Sequence, residues 1–128
     1  MDEKVKYWLS LSEYDLDTAE AMLQTNRFLY VGFMCHQSVE KILKAYFTKL
    51  KSTTAPYTHN LTFLSKETGI YEQFNDVQKE IIQMIEPLNI ESRYPSYKEK
   101  IFESLNYDRC VLVINSTKDL VNWIKKKL

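Results

Sequence analysis

A chain of 128 residues, 45% hydrophobic and 27% charged, is long enough to bury a core without disulfides or metal, and reads as one domain over 1–128. Two glycines and three prolines leave little room for the frequent tight turns of a sandwich or barrel, so the composition points to helices. The 17 basic and 17 acidic residues cancel, which removes any whole-molecule attraction to nucleic acid or to a membrane.

Cys35 and Cys110 form no CxxC pattern, so neither a disulfide framework nor a zinc site is expected, and with them no metal or cofactor. A reducing, cytoplasmic setting fits this usage. The opening MDEKVKYWLSLSEYD is acidic and lacks a long apolar run, so no leader is expected. No later segment reaches membrane-spanning length.

Residues 4–24 repeat apolar side chains at Val5, Trp8, Leu9, Leu11, Leu16, Ala19, Met22 and Leu23, which predicts a first helix. Two polar residues fall on its apolar arc. Ser12 is expected to bond the helix carbonyl four residues back, whereas Asp15 either takes a cationic partner, with Lys41, Lys44 and Arg93 as candidates, or skirts the edge of the core. Asn26 and Arg27 supply a short turn into an antiparallel second helix.

That second helix, over 27–50, is the central one. At about 100° per residue, Gly32, Cys35, Val39, Ile42, Leu43, Tyr46, Phe47 and Leu50 share one broad arc that faces a core. His36, Gln37, Glu40, Lys41 and Lys44 lie on the adjacent arc, with His36 on the border. Imidazole, amide, carboxylate and amines are thus aligned on one rigid support. The acidic first helix and the basic second are expected to neutralise each other on a solvated surface.

The segment KSTTAPYTHN is a loop, since Pro56 disfavours helix at Ala55. Thr58 or Asn60 caps a short third helix that runs through Thr68 and stops at Gly69. Residues 74–87 place Phe74, Val77, Ile81, Met84, Ile85 and Leu88 at helical intervals, with Pro87 near the end of this fourth helix. The stretch LNIESRYPSYKEKIFESLN reads as an irregular connection with a short helical turn around Lys98 to Phe102. A connection of that length in a small domain is often functional. The last helix, 106–127, carries Cys110, Val113, Ile114, Thr117, Leu120, Val121, Ile124 and Leu128 on one arc and lysines at its end. Leu105, Leu112 and Trp123 form a second stripe, suited to the bundle itself or to a partner subunit.

Three polar signatures are left once the core is assigned: HQSVEKILK on helix two, THNL before helix three, and ESRYP in the long connection. Their order and spacing, together with Asp15, Leu16 and Ala19 on helix one, resemble the HEPN domain family. The resemblance implies an all-α up-and-down bundle of about five helices. It implies a homodimer, often beside a small nucleotidyltransferase in a toxin–antitoxin type pair, and association with nucleotides or RNA. Ribonuclease members carry an Arg followed four to six residues later by His. After Arg93 this chain has Tyr94, Pro95, Ser96, Tyr97, Lys98, Glu99 and Lys100, with no His.

The expectation is therefore a non-catalytic binding module rather than an enzyme. Gln37, Glu40, Lys41, Lys44, Arg93 and Tyr94 are its candidate nucleotide- or phosphate-binding residues. Arg93 offers a planar fork for phosphate and Tyr94 or Tyr97 a stacking face. Arg93 also has an ordinary structural use, pairing with Glu40, Asp15 or Glu91. Lys44→Ala is expected to weaken phosphate binding with little loss of stability. The alternative is an endoribonuclease using Arg93 with His36 or His59, because metal-independent RNA cleavage needs a proton acceptor near neutral pH. The more ordinary roles are a structural imidazole for His36 and positioning of helix three for His59. A purely structural bundle is the third reading.

Overall fold

The computed structural model describes the backbone of residues 1–128 and every side chain except that of Ser92. Three long helices build the frame: α1 (Glu3–Gln24), α2 (Phe28–Lys51) and, at the end of the chain, α6 (Tyr107–Lys125). Between them lie α3 (Leu61–Glu67), α4 (Asp76–Ile85) and α5 (Pro95–Ser104), with short 3-10 turns at Ile70–Gln73, Glu86–Leu88 and Ile90–Ser92. All regular structure among the described residues is helical, and none of the helices is long and apolar enough to cross a membrane.

Asn26 takes a left-handed φ of 59°, a conformation that asparagine tolerates, and the chain reverses from α1 into α2 within three residues. At the crossing, the two helices exchange hydrogen bonds. Ser12 Oγ donates to the Ser38 carbonyl and Ser38 Oγ to the Ser12 carbonyl, each at 2.8 Å. Ser12 therefore bonds across the interface and not to its own helix, because two small side chains let the backbones approach closely. Asp15 finds its partner in Lys41, 3.6 Å away. Two other acidic residues of α1 reach α6 instead, with Glu13 paired to Lys125 and Glu20 to Lys118.

The core arc of α2 is buried along most of its length, and fully buried Ile42 and Leu43 meet Leu61, Ile82, Ile85 and Leu120 from α3, α4 and α6. Burying each such side chain stabilises the fold by about 2 kcal/mol. A second cluster joins α1, α2 and α6 through Ala19, Val31, Cys35, Cys110, Val113 and Ile114. Leu50 departs from the expected arc and is exposed, since it lies in the last turn of α2 beyond the packed part of the bundle. At Gly32 an added Cβ would sit 3.2 Å from Leu105 and 3.3 Å from Leu88, so the glycine admits the chain on either side of α5. The second stripe expected on α6 divides: Leu105 is buried ahead of the helix, Trp123 packs partly against the core, and Leu112 is exposed.

Capping decides the shorter elements. Asn60 accepts a hydrogen bond from the Phe63 N–H at 2.9 Å, and Gly69 closes the following turn at φ 78°. Asn75 and Gln78 form a reciprocal capping box, so α4 starts two residues later than the periodicity from Phe74 indicates. Pro95 occupies the first turn of α5, where its missing N–H has no partner to lose. The proline opens a ten-residue helix where the sequence pattern gives only a turn over Lys98 to Phe102.

Candidate functional site

His36, Glu40 and Lys44 are four residues apart on α2 and share one face. That face is buried: His36 is 0%, Glu40 2% and Lys44 5% exposed. Glu40 is the centre of the group. Lys44 Nζ donates to its Oε2 at 3.2 Å, and His59 Nδ1 lies 2.8 Å from its Oε1. A carboxylate oxygen at that distance calls for a donor, which makes Nδ1 the donor of this contact. The Lys44 amine also lies 5.4 Å from the centre of the Trp8 ring, so its charge is held between carboxylate and indole.

Glu86 completes the floor from the end of α4. Its Oε2 accepts the Leu61 N–H at 3.1 Å and its Oε1 the Thr62 N–H at 3.2 Å, which ties α4 to the first turn of α3. His36 Nε2 approaches the same Oε2 to 3.6 Å and has no hydrogen-bond partner, while Nδ1 faces Gln37 Oε1 at 3.4 Å and Glu40 Oε1 at 4.0 Å. Burial pushes the Glu86 carboxyl up, but the His36 ring and the two backbone donors outweigh it and hold its pKa below the ordinary value. Asp15 goes the other way: burial raises its pKa and Lys41 only partly offsets the effect.

Above this floor, His59, Asn60, Glu86, Asn89 and Arg93 line a polar cleft of about 240 Å³. Arg93 follows the turn at Ile90–Ser92, which buried Leu88 and Ile90 fix to the core. Its guanidinium lies over the Tyr97 ring at 4.9 Å, and it forms no ion pair with Glu40, Asp15 or Glu91 among the described residues. Tyr94 is 83% exposed beside the cleft mouth in sequence, and Tyr57, at 95%, meets His59 edge-on.

The residues singled out from sequence thus divide. His59 and Arg93 meet in the cleft, with Glu40 and His36 beneath them. Gln37 touches the His36 ring. Lys41 belongs to the Asp15 pair, and Lys44 lies under Trp8 rather than in the cleft lining. Glu86 and Asn89 escaped the sequence reading, since a carboxylate before Pro87 looks like an ordinary helix end. Its role depends on α3 approaching from elsewhere in the chain. No group of three or more His, Cys, Asp or Glu placed to hold a metal is present among the described residues.

The helical frame and the placement of the three polar signatures define a bundle of the HEPN type. The model of the HEPN domain matches residues 5–128, and the chain belongs to the HEPN domain family. Its fold is similar to that of TT1696 from Thermus thermophilus, with a TM-score of 0.82 at 15% identity, covering 99% of this chain and 100% of that one. It is also similar to ST0689, an archaeal HEPN homologue, with a TM-score of 0.70 at 15% identity and 98% of both chains covered. At that identity the likeness concerns the fold. No curated protein matches in sequence.

Proposed function

We propose that this protein is a non-catalytic binding module that takes a phosphorylated ligand, a nucleotide or RNA, in the cleft between α3 and the Ile90–Ser92 turn. The observation that carries this reading is the convergence of Arg93 and His59 on one polar cleft. Arg93 offers its donor fork to phosphate oxygens without a competing carboxylate partner among the described residues. His59, oriented through Nδ1, turns Nε2 to a ligand hydroxyl. The decisive experiment is an NMR titration with ATP, GTP and a short RNA, with the RNA recovered and checked for cleavage. Saturable shifts at Arg93 and His59 with intact RNA are expected. Absence of any shift would remove the reading.

One observation favours the alternative, an endoribonuclease. The 2.8 Å contact between His59 Nδ1 and Glu40 is the arrangement by which a carboxylate orients an imidazole as proton acceptor, and Arg93 shares the cleft. RNA cleavage that disappears in His59→Ala but persists in a surface control such as Lys126→Ala would establish it. The family likeness supports a homodimer and a small nucleotidyltransferase partner, to be tested by light scattering and co-purification. Two free, buried thiols at Cys35 and Cys110 suit a reducing, cytoplasmic setting.

A further inference from the structure

A cleft that takes phosphate has a carboxylate in its wall, since Glu86 lines the same space as Arg93. Both Glu86 oxygens accept backbone N–H groups of α3, so the side chain is held in place and its charge has to be answered there. The groups beneath the cleft fall short of that. On α2, Glu40 brings one negative charge and Lys44, at 3.2 Å, one positive, and Glu86 adds a second negative charge from the end of α4. Asp15 of α1, the neighbouring carboxylate, is answered by Lys41 at 3.6 Å, and α6 directs Lys118 and Lys125 to Glu20 and Glu13. With both imidazoles neutral, the floor keeps one negative charge under the ligand.

The two imidazoles are not equivalent. His59 meets a single carboxylate oxygen, through Nδ1 at 2.8 Å, and a neutral ring with one N–H satisfies that contact. His36 has acceptors on both sides: Nδ1 faces Gln37 Oε1 at 3.4 Å and Glu40 Oε1 at 4.0 Å, and Nε2 faces Glu86 Oε2 at 3.6 Å. A neutral imidazole has one N–H to give, whereas an imidazolium has two. The His36 ring is wholly buried, and its Nε2 has no hydrogen-bond partner among the described residues. Burial opposes the Glu86 charge, and the His36 ring is among the contacts that overcome it.

We infer that His36 is a proton-operated latch for the phosphate cleft: protonated, it bridges Glu40 and Glu86, joins α2 to the end of α4, and cancels the charge that would repel the ligand. This rests on the phosphate reading and adds its regulation. The coupling is reciprocal, so a falling pH tightens the ligand and the ligand draws a proton into the floor. Histidine suits the task because its charge ordinarily changes between about pH 5 and pH 8.

The test is calorimetric titration of the intact protein with sulfate and with the dinucleotide uridylyl-uridine, two anions whose own charge is constant between about pH 8 and pH 5.5, where histidine titrates. Affinity should rise roughly tenfold as the pH falls across that range, as linkage to one proton allows. Proton uptake should appear as a binding heat that depends on the ionisation enthalpy of the buffer. Ring-nitrogen NMR shifts at neutral pH should move toward the imidazolium pattern at His36 when the dinucleotide is added. In His36→Gln the affinity should no longer depend on pH. Binding without proton uptake, uptake at His59 in place of His36, or a pH dependence that survives in folded His36→Gln would overturn the latch and leave the phosphate cleft standing. No binding of either anion at any pH in the range would overturn both. Circular dichroism checks that His36→Gln is folded, and if it is not, the ring-nitrogen shifts of the unaltered protein decide.

Discussion

The floor and the rim of the cleft are built on opposite principles. The floor gathers His36, Glu40 and Lys44 on a helix that is buried on almost every side, with each charge answered by a neighbour a few ångströms away. The rim carries Arg93, Tyr94 and Tyr97 at the start of a helix with no buried residue, and its main internal contact is one guanidinium over one ring. Charges in the floor are too costly to leave unpaired, so the floor is rigid and its residues matter for folding. Charges in the rim are solvated, so they are available to a ligand. Lys44 illustrates the point, since its place on helix two marks it as a phosphate ligand by sequence, and burial makes it part of the frame.

The comparison can be broken most easily at Glu40. Glu40→Ala leaves Lys44 buried without its carboxylate and His59 without its anchor, and should lose about 3–5 kcal/mol of stability in urea denaturation. A loss within the range of ordinary surface substitutions would show that the floor is solvated after all. Lys44→Ala should follow at about 3 kcal/mol, now with a loss of stability rather than the near-neutral effect that its sequence position predicts. Trp8 fluorescence should report the change, because the amine lies under that ring.

Glu86 sits between floor and rim and sharpens the comparison through pH. Its folded pKa is held below the ordinary carboxylate range, so its contribution is present above the ordinary value for glutamate and is lost as the pH falls through the lowered folded value. Glu86→Gln should therefore flatten the acid limb of the stability curve, measured as melting temperature from neutral to strongly acid pH. Asp15 has the opposite sign. Its raised pKa means that folding disfavours its charge, and acidification relieves that penalty. The smallest effect on stability belongs to the rim: Arg93→Ala should change unfolding free energy by no more than about 0.5 kcal/mol. Its phosphate affinity should nonetheless disappear, and a large stability loss instead would place Arg93 in the frame.

Much of this architecture is legible in the order of residues. Apolar spacing of three and four marks α1, α2, α4 and α6, because a helix in a small bundle must bury one continuous face. Asn60 and Gly69 announce the limits of α3 through local hydrogen bonding and a left-handed φ. Local rules were misleading where one residue serves two purposes. Pro95 breaks a helix in mid-chain but starts one at its first turn, and the difference depends on whether the preceding backbone is already committed.

The functional site was partly legible for the same reason. His36, Glu40 and Lys44 fall together by helical periodicity alone, and the HNL and RYP signatures mark His59 and Arg93 as unusual. Their meeting in one cleft was decided by the tertiary structure, since 34 positions of numbering separate His59 from Arg93 and only the packing of α3 and α4 against α2 brings them together. The same packing set which polar groups are buried and which stay available. Periodicity assigns a side chain to a face, whereas its charge environment depends on what the rest of the chain lays over that face.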